Sequence, residues 1–112
     1  MSADFKNIEN LTFMDIAQLR KAEQTYGDSW RSRGGVGAFM MLARKWDRIE
    51  NQCKKENYNI FETIKLNPSK TGILDDIKDL RCYLLLVESF ATQLLAKANK
   101  QQKTNSVNKE NA

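Results

Sequence analysis

Histidine is absent from this 112-residue chain, proline occurs once, and glycine occurs five times. Without histidine, the usual general base near neutral pH and the commonest zinc ligand are both missing. Any acid–base or metal chemistry would have to run through carboxylates. Apolar stretches such as Tyr83 to Val87 are far too short to span a bilayer, and the opening MSADFKNIEN has no apolar run of the signal-peptide kind. No membrane partner is expected. Cys53 and Cys82 share no close pairing motif. They read as small, reduced residues in or near the core of a cytoplasmic protein. Three of the five glycines fall together at 34, 35 and 37, which leaves long uninterrupted stretches suited to helix.

What is present fits one domain, with 41% hydrophobic residues and a net charge of +4. A core of this size is marginal alone, so self-association would help it. The mild positive charge favours an anionic partner, most simply one that carries phosphate.

Periodicity predicts an all-α bundle with one long C-terminal helix. Residues 1–10 read as a short arm, docked through Phe5 and Ile8. Thr12, with Asp15 in capping-box position, would start a first helix over about 12–25, followed at helical spacing by Ile16 and Leu19. Tyr26-Gly27 would end it. A second helix starts near Val36. There Phe39, Leu42, Trp46, Ile49 and Cys53 form a repeating stripe that should face the core, widened by Val36, Met40 and Ala43. Residues 60–66 make one or two helical turns, and NPSKTG at 67–72 makes a turn. In the last helix, Ile73, Ile77, Leu80, Leu84, Val87, Ala91, Leu94 and Ala98 keep a heptad seam. Leu74, Leu86, Phe90 and Leu95 broaden it beyond what one small bundle covers, which predicts a homo-oligomer. The domain should span 1–98. The polar segment 99–112 should be a disordered tail.

The segment YGDSWRSRGGVGAFMMLARKWDRIE, residues 26–50, carries the functional signal. A helix N-terminus presents unpaired N–H groups and a partial positive charge. Gly34 and Gly35 would let a phosphate approach that backbone closely. Arg31 and Arg33 supply bidentate donors, Tyr26 and Trp30 supply flat faces for a base, and Ser29 lies between them. The plainer alternative is a tight turn with Trp30 plugging the core. Arg44, Lys45 and Arg48 share one strip of the second helix, either as a phosphate-facing row or as a solvated face with pairs such as Arg44–Asp47.

Two carboxylate pairs stand at i and i+3: Asp47 with Glu50, and Asp76 with Asp79. On packed helices they would offer oxygen ligands to Mg²⁺. Alternatively they pair with neighbouring cations, and Asp76 complements a helix dipole.

The run from Tyr26 to Glu50 with ILDDIKDLRCYLLLVES resembles a family of small helical proteins common in bacteriophage genomes, which includes the nucleotide-modification-associated domains. Their Tyr-Gly-x-Ser-Trp-Arg motif and later Lys-x-x-Arg match Tyr26, Gly27, Ser29, Trp30, Arg31, Lys45 and Arg48. The resemblance covers about residues 12–95. The carboxylate pairs are also similar to those of all-α NTP pyrophosphatases of the MazG type. Those, however, carry a Glu-Glu-x-x-Glu motif where this chain has Trp46, Asp47 and Glu50. The resemblance implies a nucleotide ligand and a cytoplasmic location in an infected bacterial host. In character the chain is similar to small phage proteins that sequester immune-signalling nucleotides, such as cyclic ADP-ribose derivatives or cyclic oligonucleotides.

The combined expectation is a nucleotide-sequestering protein with no catalytic residue and no cofactor. Tyr26, Ser29, Trp30, Arg31, Arg33, Gly34, Gly35, Arg44, Lys45, Arg48, Asp76 and Asp79 would contact the ligand. The alternatives are a Mg²⁺-dependent nucleotide pyrophosphatase or nucleotide-modification enzyme using Asp47, Glu50, Asp76 and Asp79, and an adaptor for nucleic acid or protein.

Overall fold

The computed structural model describes residues 2–68 and 72–110, with side chains through 102. Four α-helices follow one another: α1 Phe5–Tyr26, α2 Gly34–Cys53, α3 Ile60–Leu66 and α4 Ile73–Glu110. Short 3₁₀ turns at Ser29–Arg31 and Lys54–Glu56 flank α2. The chain is all-α among the described residues, a small bundle with a long last helix, as periodicity predicts. Residues 69–71 of the expected turn lie outside the described residues, as do 111–112 of the expected tail. Residues 99–110 continue α4.

Helix α1 begins earlier than the capping-box spelling suggests. Asp4, not Thr12, is its N-cap and accepts from the Asn7 amide at 3.1 Å. Thr12 sits inside the helix and donates to the Glu9 carbonyl. The helix stops at Gly27, whose φ of +59° suits glycine and whose N–H bonds the Glu23 carbonyl at 2.8 Å. At the other end of α2 the chain reverses through Asn57 and Tyr58, both at positive φ. Asn59 then caps α3 by accepting from the Glu62 amide.

The α2 and α4 helices run antiparallel, because α2 numbers rise where α4 numbers fall: Lys45 meets Asp79, and Arg48 and Gln52 meet Asp76. The core lies at that end. Ile49, Cys53 and Ile73 are buried, with Ile60, Ile64, Ile77 and Leu80 packed on them. Along its C-terminal half α1 runs parallel to α4, from Asp15 beside Arg81 to Tyr26 near Phe90.

The expected stripe on α2 is only partly a core stripe. Ile49 and Cys53 are buried and Leu42 is half-buried, but Phe39 and Trp46 lie on the exposed side. Likewise the α4 seam is sheltered from Ile73 to Leu80 and exposed at every position from Ala91 to Lys100. Both helices carry more apolar surface than one copy of the chain covers. No helix among the described residues is long and apolar enough to cross a membrane.

Candidate functional site: an aromatic and arginine cleft

The loop from Tyr26 to Arg33 is held by its own backbone. The Arg31 amide bonds the Asp28 carbonyl at 3.1 Å, and the Ser32 amide and hydroxyl both bond the Ser29 carbonyl. This fixes Trp30 against α4, edge to face with Phe90, at 6.0 Å between ring centres and 86° between planes. Arg31 then lies over the same Phe90 ring, 4.3 Å from its centre, while its guanidinium forks onto Asp28 at 2.8 and 3.1 Å. Trp30 therefore anchors the loop as well as walling a cleft, and Arg31 is an oriented cation with donor capacity left over.

The cleft, about 580 Å³, is bounded by Arg20, Glu23 and Tyr26 of α1, the loop Gly27–Arg31, Met41 of α2, and Tyr83, Phe90 and Gln93 of α4. It gathers four of the expected ligand residues: Tyr26, Ser29, Trp30 and Arg31. Tyr26 as a residue is 70% exposed, so its side chain is open to solvent.

The other expected residues lie elsewhere. Arg33, Arg44 and Arg48 line a larger concavity of about 890 Å³ with Asp47 and Glu50. All its lining residues belong to α2 and the residue on either side, so it is an open helix face, not a cleft. Gly34 and Gly35 stand at the start of α2, where no side chain caps the helix. Gly37 has a packing reason: a Cβ there would come within 2.7 Å of the Arg33 Cβ.

Lys45, Asp76 and Asp79 form a charge cluster between α2 and α4. Lys45 holds Asp79 at 2.9 Å; Arg48 holds one Asp76 oxygen at 2.8 Å and Gln52 the other at 2.8 Å. Asp76 is 2% exposed, so these partners keep a buried carboxylate satisfied. The four carboxylates Asp47, Glu50, Asp76 and Asp79 do not converge. No group of three metal-ligating side chains occurs among the described residues, and both Asp76 oxygens are occupied.

One constellation escaped the periodicity argument. Asp15 is fully buried and bound by Arg81 at 2.5 and 2.8 Å across a gap of 66 residues. The Arg81 hydrogen bond holds the Asp15 carboxyl below its ordinary range, against the opposing effect of burial. Arg81 is raised in turn by Asp15. Burial pushes the neighbouring Cys82 thiol up. The signal was there to find: Asp15 falls in line with Leu19 and Ala22, a carboxylate on the face that turns out to be covered. Arg20, Glu23, Tyr83, Ser89, Phe90 and Gln93, the polar and aromatic walls of the cleft outside the loop, come from α1 and α4, and no linear motif joins them.

No protein-family model, curated protein or solved structure matches the chain.

Proposed function

We propose that the cleft takes a phosphate-bearing nucleotide and holds it intact, so that the chain acts as a sink for a signalling nucleotide. The observation that carries this reading is the convergence of Tyr26, Trp30 and Phe90 with Arg20 and Arg31 around one cleft of about 580 Å³. That volume suits a small ligand. Tyr26 offers an exposed aromatic side chain for a base, and aromatic stacking of this kind contributes about 1–3 kcal/mol per base. Arg31, pre-aimed by Asp28 and Phe90, and Arg20 supply cationic donors for phosphate. Ser29 and Gln93 add neutral hydrogen-bonding groups suited to ribose or base edges. Turnover has less support, because two of the four acidic side chains expected to work with a cation, Asp76 and Asp79, are tied to Lys45, Arg48 and Gln52.

The test is calorimetric titration with ATP, ADP-ribose, cyclic ADP-ribose and cyclic dinucleotides, followed by denaturation and chromatography of the released ligand. At least one should bind at micromolar concentration or below and be recovered unchanged. Tyr26→Ala and Arg20→Ala should each weaken binding by about 1–3 kcal/mol. Both side chains are exposed, so stability should move by less than about 0.5 kcal/mol. Recovery of an altered product would make the chain an enzyme. Affinity only for polyanions, falling steeply with salt, would make it an adaptor.

A further inference from the structure

Helix α2 carries one wide apolar surface, and only one edge of it is used within the chain. Ile49 and Cys53 turn toward α4 and α3, and Leu42 is half-buried. Val36, Phe39, Met40 and Trp46 turn away, and they are 78, 66, 58 and 56% exposed. With Ala43 they occupy positions i, i+3, i+4, i+7 and i+10, one continuous strip about 15 Å long. A strip of that regularity on a solvent-facing side is the pattern of a helix that packs on another helix.

We infer that this strip is the contact between two copies of the chain, with α2 packed antiparallel on α2 across a two-fold axis. Two observations select a second copy as the occupant. The first is area. The chain exposes 9614 Å², whereas a compact monomer of 12.9 kDa exposes about 6,300 Å². Part of that excess is the exposed end of α4 from Ala91 onward, and part is the apolar strip of α2. The second is charge. Arg33 stands just before the strip, and Asp47 and Glu50 stand just after it. Turning one α2 end for end about a point between Met41 and Leu42 sets Arg33 of each copy against Glu50 of the other, and Val36 against Asp47. A parallel pairing would set like charges together. The antiparallel arrangement also opposes the two helix dipoles, and the contact is isologous, as a closed dimer requires. The open concavity along α2, from Arg33 to Lys54, is then the flank of that contact.

The experiment is sedimentation velocity on the full chain across the micromolar range, with circular dichroism as the check on folding. The parent should be dimeric, or a larger even-numbered assembly. Phe39→Glu should remove the association while keeping the helical signal. Arg33→Glu and Glu50→Arg should each weaken association about tenfold or more, because each puts like charges together. The double variant R33E/E50R should recover most of it. If Phe39→Glu unfolds the chain, the charge-swap series decides alone, since both of its positions are exposed. A monomeric parent overturns the inference, as does a parent whose association none of these variants changes. Charge variants that weaken association singly but do not rescue each other overturn the antiparallel register.

Discussion

Asp15 is the residue on which the α1–α4 contact turns. A carboxylate with no exposed surface is tolerable only because Arg81 supplies two charge-assisted hydrogen bonds. Removing one partner of a buried pair costs about 3–5 kcal/mol. Arg81 keeps a third of its side chain exposed and can rehydrate, so Asp15→Asn should cost less, about 2–4 kcal/mol. Replacing both partners, as in Asp15→Leu with Arg81→Leu, should recover much of that loss, since no charge is left unpaired. The pair also fixes a pH dependence. The folded Asp15 carboxyl lies below its unfolded value of about 3.9, so its contribution is complete above that value and is lost as pH falls through the lower folded one. Thermal melts from neutral to acid pH should show a falling Tm that Asp15→Asn flattens. A parent and variant with parallel acid limbs would mean that Arg81 does not stabilise the charged form. At this scale the sequence was misleading for a local reason. Thr12-x-x-Asp15 spells a capping box, and the true cap, Asp4, lies two turns upstream.

At the scale of elements, the four helices are legible because apolar spacing, turn residues and the run free of proline and glycine after residue 72 all agree. What spacing does not reveal is which apolar face finds a neighbour. Phe39, Trp46 and Leu84 obey the same periodicity as Ile49 and Ile77, yet lie on the outside of this chain. The cleft was half legible. Tyr26, Ser29, Trp30 and Arg31 are contiguous and could be read together, whereas Phe90 and Gln93 are brought to them only by the parallel run of α1 and α4. Arg44 and Arg48 share a strip with Lys45 in sequence, but the helix turns Lys45 toward Asp79 and leaves Arg44 on the open face. The end of α4 gives a prediction of its own. Every residue from Ala91 to Gln102 is exposed, so the helix there buries little side-chain surface. Deleting 101–112 should shift Tm by no more than about 3 °C, the scale of a change under 0.5 kcal/mol, while far-UV ellipticity falls by the share of helix removed. A larger drop in Tm would show that this end of α4 packs against something, in this chain or in another copy.

For the whole molecule, shape and apolar exposure bear on the same question. The radius of gyration is 19.3 Å, and the longest dimension is 68 Å against 32 and 31 Å. A compact domain of 112 residues has a radius near 13 Å. The apolar residues buried within one copy are Ile49, Cys53, Ile73 and Cys82, among those the structure describes. Many more apolar residues are half-buried, among them Trp30, Met41, Leu42, Ile60, Ile64, Ile77, Leu80 and Phe90, while Val36, Phe39, Met40 and Trp46 of α2 stay exposed. Under the two-fold contact inferred above, the exposed strip on α2 would also leave water, and folding and association would be coupled. Coupling has a thermodynamic signature that an elongated monomer lacks. For a dimer that unfolds to separate chains, each tenfold rise in concentration adds about 1.4 kcal/mol to the stability of the assembly. Spread over the unfolding entropy of two such chains, that raises Tm by about 3 °C per decade. Melts at chain concentrations from low to high micromolar should show this slope, and Phe39→Glu should flatten it and lower Tm throughout. A parent whose Tm is independent of concentration would have to be stable as a single elongated chain, and the exposed apolar strip of α2 would then need another explanation.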